Sequence, residues 1–280
     1  MRQSIEACYA KLTSQQRRAA DYLLAHQHTA FSMSVSDLAH AAQVSEATLV
    51  RFAREIGFKG YHELRAALMG EAREDLSPED RFAYEAPSRE PASTMVRVAK
   101  SEVDNIQRTA DDLDPRELKR FVARLGKAPL VATMGLGVSA ILARLAQYLF
   151  FQIGVRAELV SRETVTLAEQ VELLPRQTAL LVFSLPPYSR QTIEAAARAR
   201  ERKLTVLAIT DDSGDSEGAP IGKYAHAVLR CHSRNVLFTN SLSSPIILLN
   251  AVVTDLALAN KAAALRHLKT MDRASHGEYL

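Results

Sequence analysis

Three short stretches of this 280-residue chain carry side chains whose types and spacing suit recognition chemistry. The first is SEATLVRFAR, Ser45 to Arg54. Ser45 is a good helix N-cap, and after it Leu49, Phe52, Ala53 and Ile56 fall on one face at helical spacing. The opposite face holds Ala47, Thr48, Val50, Arg51 and Arg54. Short polar groups at the start of such a helix (Ser45, Glu46, Thr48) let its N-terminus approach base edges. The arginines further along can bind guanine in a bidentate way or hold phosphate. Lys59 and Tyr61 follow in a turn flanked by Gly57 and Gly60, where backbone amides and a hydroxyl suit a phosphate; a simple turn is the competing reading.

The second stretch is GLGVS, Gly135 to Ser139, leading straight into a helix, and the third is SLPPYSRQT, Ser184 to Thr192, doing the same. Glycines permit a tight turn, helix N-termini offer unpaired amides, and Ser139, Ser184, Ser189 and Thr192 add hydroxyls. Gly135, Gly137, Ser139, Ser184, Tyr188, Ser189, Arg190 and Thr192 are the candidate effector-binding residues, a set suited to a phosphate or a polyol. Gly135, Gly137 and Ala140 also fit the G-x-G-x-x-A dinucleotide fingerprint. That reading needs an acidic residue closing the next strand, whereas Glu158 falls inside the strand and Glu163 comes late. No cofactor is expected, and tight strand-to-helix turns remain the structural alternative.

The elements that position these residues fall into two groups. Around the first stretch, Ser34 and Asp37 form a capping-box pattern for a helix through Leu38, Ala39 and Ala42. Gln43 and Val44 break it before Ser45 opens the next. A short helix, a tight turn and a second helix is the helix-turn-helix pattern, whose second helix enters a DNA major groove. A first helix is expected over Leu12 to Gln27, with Ala19, Tyr22, Leu23 and Leu24 inward, and a further one from Tyr61 to about Arg73. Residues 1–76 thus form an all-α DNA-binding domain. Residues 77–93, acidic and bearing Pro78, Pro87 and Pro91, read as a linker.

From Thr94 the chain prepares a second domain, 94–280. A helix to Ala110 carries Val96, Ala99, Val103 and Ile106 at helical spacing, an apolar stripe that must be buried against the second domain or a partner chain. Asp114 and Pro115 cap a following helix. Strands are then expected at 129–134, 156–160, 178–185, 204–210 and 225–231. Helices are expected at 138–153, 165–174, 192–202 and 244–261. Strands this apolar are covered on both faces, which makes the domain a doubly wound α/β fold with a parallel sheet and ligands at its C-terminal strand ends.

The whole-chain numbers exclude several classes. With 47% apolar and 24% charged residues the composition is that of a folded globular chain,. Cys8 and Cys231 are the only cysteines and have no metal-ligand spacing, so no metal site is expected and a reducing, cytoplasmic location is. No N-terminal run resembles a signal peptide. The most apolar segment, Pro245 to Ala259, is too short and too interrupted to span a membrane. Net charge is +3. Residues 1–76 balance nine Lys and Arg against nine Asp and Glu, so any basic surface there is local, and paired heads would sum their phosphate contacts.

The segment VSDLAHAAQVSEATLVRFAREIGFKGYHELR, the GLGVS turn and the block LVFSLPPYSRQTIEAAARARERKLTVLAITD together resemble bacterial transcription regulators of the RpiR family. These carry an N-terminal helix-turn-helix domain and a C-terminal SIS (sugar isomerase) domain. The resemblance spans Leu12 to Lys261. It implies a homodimer or homotetramer that binds an inverted-repeat operator in double-stranded DNA and controls carbohydrate-metabolism genes. The DNA-binding residues are then Ser45, Glu46, Ala47, Thr48, Arg51, Arg54, Lys59 and Tyr61. The resemblance further implies a sugar phosphate or related effector, with Ser139 and Ser184 matching serines that contact the phosphosugar. Such domains usually show S-x-S-G-x-T where this chain has SLPPYSRQT, which leaves a polyol, a keto-inositol or an acidic sugar derivative open. The alternative is an SIS-type isomerase or sugar-phosphate-binding enzyme. It would need a base, for which Glu163, Glu169, His226 and His232 are the candidates near the strand ends.

Overall fold

The computed structural model describes residues 2–26, 30, 33–72, 93–163, 165–212, 218–235 and 239–274. The chain divides into two compact units, Met1–Glu90 and Pro91–Leu280. The proposed linker, 77–93, lies outside the described residues except for Ser93.

The first unit opens with α1 (Arg2–Cys8), which the sequence did not announce because its run of mixed polar residues has one deep anchor, Ile5, fully buried. Helix α2 (Ser14–Ala25) is capped by Thr13 in a reciprocal box with Gln16. It is shorter than the expected Leu12 to Gln27, because that box fixes where helical geometry begins. Ala19 and Leu23 are buried, while Tyr22 and Leu24 are only partly so. Helix α3 (Val35–Ala41) starts in the Ser34–Asp37 box, whose hydrogen bonds hold the Asp37 carboxyl below its usual range. Gln43, at φ 55°, turns the chain in the left-handed region, and Ser45 caps α4 (Glu46–Glu55) by accepting the Thr48 amide at 3.1 Å. Helix α5 (Tyr61–Ala72) closes the unit. Leu23, Leu38, Leu49, Phe52, Leu64 and Leu68 form its core.

The second unit is a five-stranded parallel sheet between helices. Its strands are β1 (Leu130–Met134), β2 (Ala157–Val160), β3 (Thr178–Ser184), β4 (Thr205–Asp211) and β5 (Ala227–Cys231), in the order β2-β1-β3-β4-β5. Alternation along β3 shows why its seven residues are all apolar or buried. Ala179, Leu181 and Phe183 enter one core with α7 (Pro115–Gly126), α8 (Val138–Gln152) and α11 (Ser243–Ala259). Leu180 and Val182 enter the other with α9 (Leu167–Leu173) and α10 (Arg190–Glu201),. A last helix, α12 (Lys261–Ala274), lies beyond the end of the sequence reading and bends from α11 by 104°. Among the described residues no single helix is long and apolar enough to cross a membrane.

Helix α6 (Thr94–Asp112) leaves most of its apolar stripe uncovered by the second domain, one of the two alternatives expected for burying it. Within this chain Val96 is 59% and Val103 61% exposed, whereas Asn105 and Thr109 are buried. The surface beneath the helix is the chain after β5. There the Arg234 carbonyl accepts from Asn105 and Ser101, and the His232 amide donates to Thr109 Oγ1 at 2.9 Å. Backbone groups that would be orphaned under an apolar stripe select the polar face instead.

Candidate functional site

The outward face of α4 keeps the shape read from its sequence. Ala47, Arg51 and Arg54 are exposed and Thr48 partly so. Thr48 Oγ1 sits 2.8 Å from Ser45 Oγ, so the helix start is a compact cap carrying Glu46. Arg51 donates from Nε to the Ala47 carbonyl at 3.2 Å, which steadies the base of its guanidinium along the helix. Arg54 donates likewise to the Lys59 carbonyl at 3.3 Å, and the Lys59 amide is taken by the Glu63 carboxylate. The turn at 57–60 therefore offers the Lys59 ammonium rather than that amide.

Tyr61 needs correcting. It is a core residue at 9% exposure, its hydroxyl donates to the Met33 carbonyl at 2.9 Å, and burial pushes its pKa up. It anchors α5 to the entry of α3 and has no hydroxyl to spare for phosphate. Sequence spacing put Tyr61 beside Lys59, but as the first residue of α5 it faces inward.

The strand order reverses direction between β1 and β3, the switch point where doubly wound sheets bind ligands,. Both candidate loops lie there. A Cβ on Gly135 would stand 2.5 Å from the Ser139 carbonyl oxygen, so only glycine fits,. Gly137, the N-cap of α8, has φ 58° and ψ −130°, a conformation for glycine. Ser139 is buried and its Oγ accepts the Leu185 amide at 3.2 Å, stitching the two loops together. Ser184 and Thr192 are buried with side-chain oxygens that have no hydrogen-bond partner among the described residues, and Ser189 caps α10 through the Thr192 amide. Tyr188 packs at the edge of the α9–α10 core. Arg190 stands apart from the group: its side chain is 91% exposed and pairs with Glu194 at 2.8 Å. It is the first residue of α10, which begins two residues before the expected start, and its side chain lies along that helix toward Glu194.

Sequence reasoning missed the segment before α11. Asn240 donates to the Pro186 carbonyl, bringing this segment against the third stretch. Ser241 is buried and donates to Glu102, and Ser244, fully buried in the first turn of α11, has a hydroxyl without a partner among the described residues. The polar run NSLSS ahead of an apolar helix was the available signal, since it too follows a strand end. Each of the four candidate bases has a partner within the protein. Glu169 closes the cap of α9, where hydrogen bonds from Thr166 hold its carboxyl low. Glu163 pairs with Arg144 at 3.6 Å. His226 Nδ1 accepts the Val206 amide at 3.0 Å, and burial lowers its pKa. His232 Nε2 lies 2.7 Å from Asp112. Glu158 sits mid-strand and pairs with Arg156, so β2 does not close on a ribose-binding carboxylate.

A helix-turn-helix unit joined to a doubly wound sheet with a polar switch point defines a DNA-binding transcriptional regulator. Residues 1–75 match the helix-turn-helix domain of the rpiR family, and residues 125–255 match the SIS domain. An HTH-type transcriptional regulator of Haemophilus influenzae is 30% identical over 80% of this chain and 77% of its own length. The regulator HexR of Pseudomonas aeruginosa is 28% identical over 79% and 75%. The chain belongs to the RpiR family of HTH-type transcriptional regulators with a SIS domain. The sugar isomerase domain of an RpiR transcription factor from Sphaerobacter thermophilus superposes with a TM-score of 0.61 at 25% identity, covering 65% of this chain and 99% of that one. The NanR protein of Vibrio vulnificus, solved with ManNAc-6P, shares the fold over 96% of this chain and 95% of its own at a TM-score of 0.60 and 23% identity.

Proposed function

We propose that the β1–β3 switch point binds a sugar phosphate or related carbohydrate-derived metabolite. Its occupancy sets how a cytoplasmic homo-oligomer of this chain holds an inverted repeat in double-stranded DNA and so controls carbohydrate-metabolism genes. In this reading residues 1–76 are the DNA head, 77–93 the linker and 94–280 the sensing and oligomerising part. The observation that carries it is the pair of buried, unpartnered hydroxyls on Ser184 and Thr192. Buried polar atoms are nearly always satisfied, and one left alone costs about 1–3 kcal/mol. At the C-terminal strand edge such hydroxyls are available to a polar ligand. The binding of ManNAc-6P by NanR supports the same chemical class. The naming of its relatives as HTH-type transcriptional regulators supports a sensing rather than a catalytic role, and Glu169, His226 and His232 each already hold a hydrogen bond.

A thermal-shift screen of phosphosugars, sugar acids and inositols identifies the effector class, because a ligand bound only by the native fold raises its stability. Ser184→Ala is expected to leave the unliganded protein as stable or slightly more so, since no hydrogen bond is lost. It should weaken the effector roughly 2- to 10-fold, the worth of one hydrogen bond. A screen with flat curves for every compound would sink the sensing reading. Turnover of a ketose phosphate would replace it with the isomerase reading.

On the DNA side, half-sites are expected about one helical turn or a multiple apart. Ser45, Glu46, Ala47, Thr48, Arg51, Arg54 and Lys59 form the reading face. Arg51→Ala should lose about 1–3 kcal/mol of operator binding and relax specificity at a single position. If gel shifts show the same loss on every sequence, Arg51 holds phosphate instead.

A further inference from the structure

The C-terminal edge of the sheet carries one side-chain cluster that neither surface uses. Asp112 ends α6, Asp212 follows β4 and His232 follows β5, and one ligand-capable atom from each lies within 4.8 Å of the other two. His232 is 8% exposed. Its ring is fixed by Asp112 Oδ2 at 2.7 Å, and its backbone amide by Thr109 Oγ1 at 2.9 Å. Asp112 and Asp212 are exposed. The neighbouring Asp211 is already engaged by the amide and hydroxyl of Ser233. Among the described residues no lysine or arginine is ion-paired with Asp112, Asp211 or Asp212. Carboxylates converge on one imidazole with no cationic side chain to compensate them, and a divalent ion would be the largest charge in such a site.

We propose that Asp112, Asp212 and His232 form a binding site for a divalent transition-metal ion of the zinc or manganese type. One imidazole nitrogen and two carboxylate oxygens suit those ions, whereas magnesium prefers an all-oxygen shell and retains its water. Bonds of about 2.0–2.2 Å place ligand atoms about 3–4 Å apart, so the cluster closes by rotation of the two exposed carboxylates. Three protein ligands leave positions for water. The ion ties the C-terminal end of α6 to the ends of β4 and β5, on a helix otherwise docked through Ser101, Asn105 and Thr109. The site draws on three segments about 100 and 20 residues apart, so no sequence spacing announces it.

The test uses tag-free full-length protein stripped with EDTA and returned to chelator-free buffer. Zinc, manganese and magnesium chlorides are then titrated by calorimetry and by melting temperature. Zinc or manganese should bind at one ion per chain and raise the melting temperature, with magnesium at least about tenfold weaker. Asp212→Asn is the decisive variant. The Asp212 side chain makes no hydrogen bond among the described residues, and the His232–Asp112 contact survives, so the fold stays while affinity falls at least about tenfold. His232→Gln should behave alike. The proposal is overturned if no ion binds the wild type, or if Asp212→Asn binds with undiminished affinity. Ser184 and Arg51 are untouched in both variants, so effector and operator binding report separately on the regulator reading.

Discussion

Phe52→Ala is expected to abolish binding to every DNA sequence while the second unit keeps its own melting transition. Phe52 is fully buried and sits on the inner face of α4, the helix whose outer face carries Arg51 and Arg54. Truncating a buried phenylalanine costs about 3–5 kcal/mol, lost transfer energy plus the cavity left behind. A head of this size buries little apolar area, and domains so small are expected at the low end of the about 5–15 kcal/mol usual for domains. The loss therefore unfolds it. The second unit has separate core clusters built on α7, α8, α11 and on α9, α10. Calorimetry should show one transition vanish and the other persist, with no gel shift at any salt. Retention of operator binding within about twofold would mean that the head is held by more than its own core. Arg51→Ala is the contrasting case, because it changes the outer face alone and leaves both transitions in place.

Gly135→Ala should remove the effector response and leave DNA binding intact. The added Cβ would meet the Ser139 backbone carbonyl at 2.5 Å, and a backbone atom cannot swing aside as a side chain does. The first turn of α8 has to shift, and with it the Ser139 hydroxyl that holds the Leu185 amide beside Ser184. Overpacking of this kind costs about 1–3 kcal/mol. That lowers the melting temperature of the second unit without unfolding it, given two substantial cores on either side of the sheet. The readout is the ligand-induced rise in melting temperature, expected to disappear, against an operator affinity that no longer responds to ligand. An unchanged ligand response would show that the β1 loop is only a tight turn, the reading in which the glycines serve chain geometry alone.

Much of the architecture was legible because its determinants are local. Ser34 with Asp37 and Ser45 with Thr48 are capping arrangements spanning four residues, and they fix where α3 and α4 begin. The apolar runs of β1, β3 and β4 read as strands covered on both faces because alternate residues feed two different cores. The strand-end loops were legible as tight strand-to-helix turns for the same reason, since their glycines are the local signal for that geometry.

The sequence by itself determined the helix-turn-helix head, the parallel sheet with its helices and the two loops at its edge, since periods of 3.6 and 2 residues and short capping motifs need no distant partner. Tertiary structure alone decided which face of a surface helix turns inward and which polar atoms are already spoken for. The stripe on α6 faces outward because backbone groups near Arg234, some 130 residues away in sequence, require Asn105 and Ser101. Tyr61 donates to Met33, Arg190 pairs with Glu194 at the surface, and Asn240 reaches the Pro186 carbonyl of the third stretch. The physical reason is common to all of these. A hydrogen bond depends on position and direction in space, and a partner distant in sequence leaves no local pattern by which to find it.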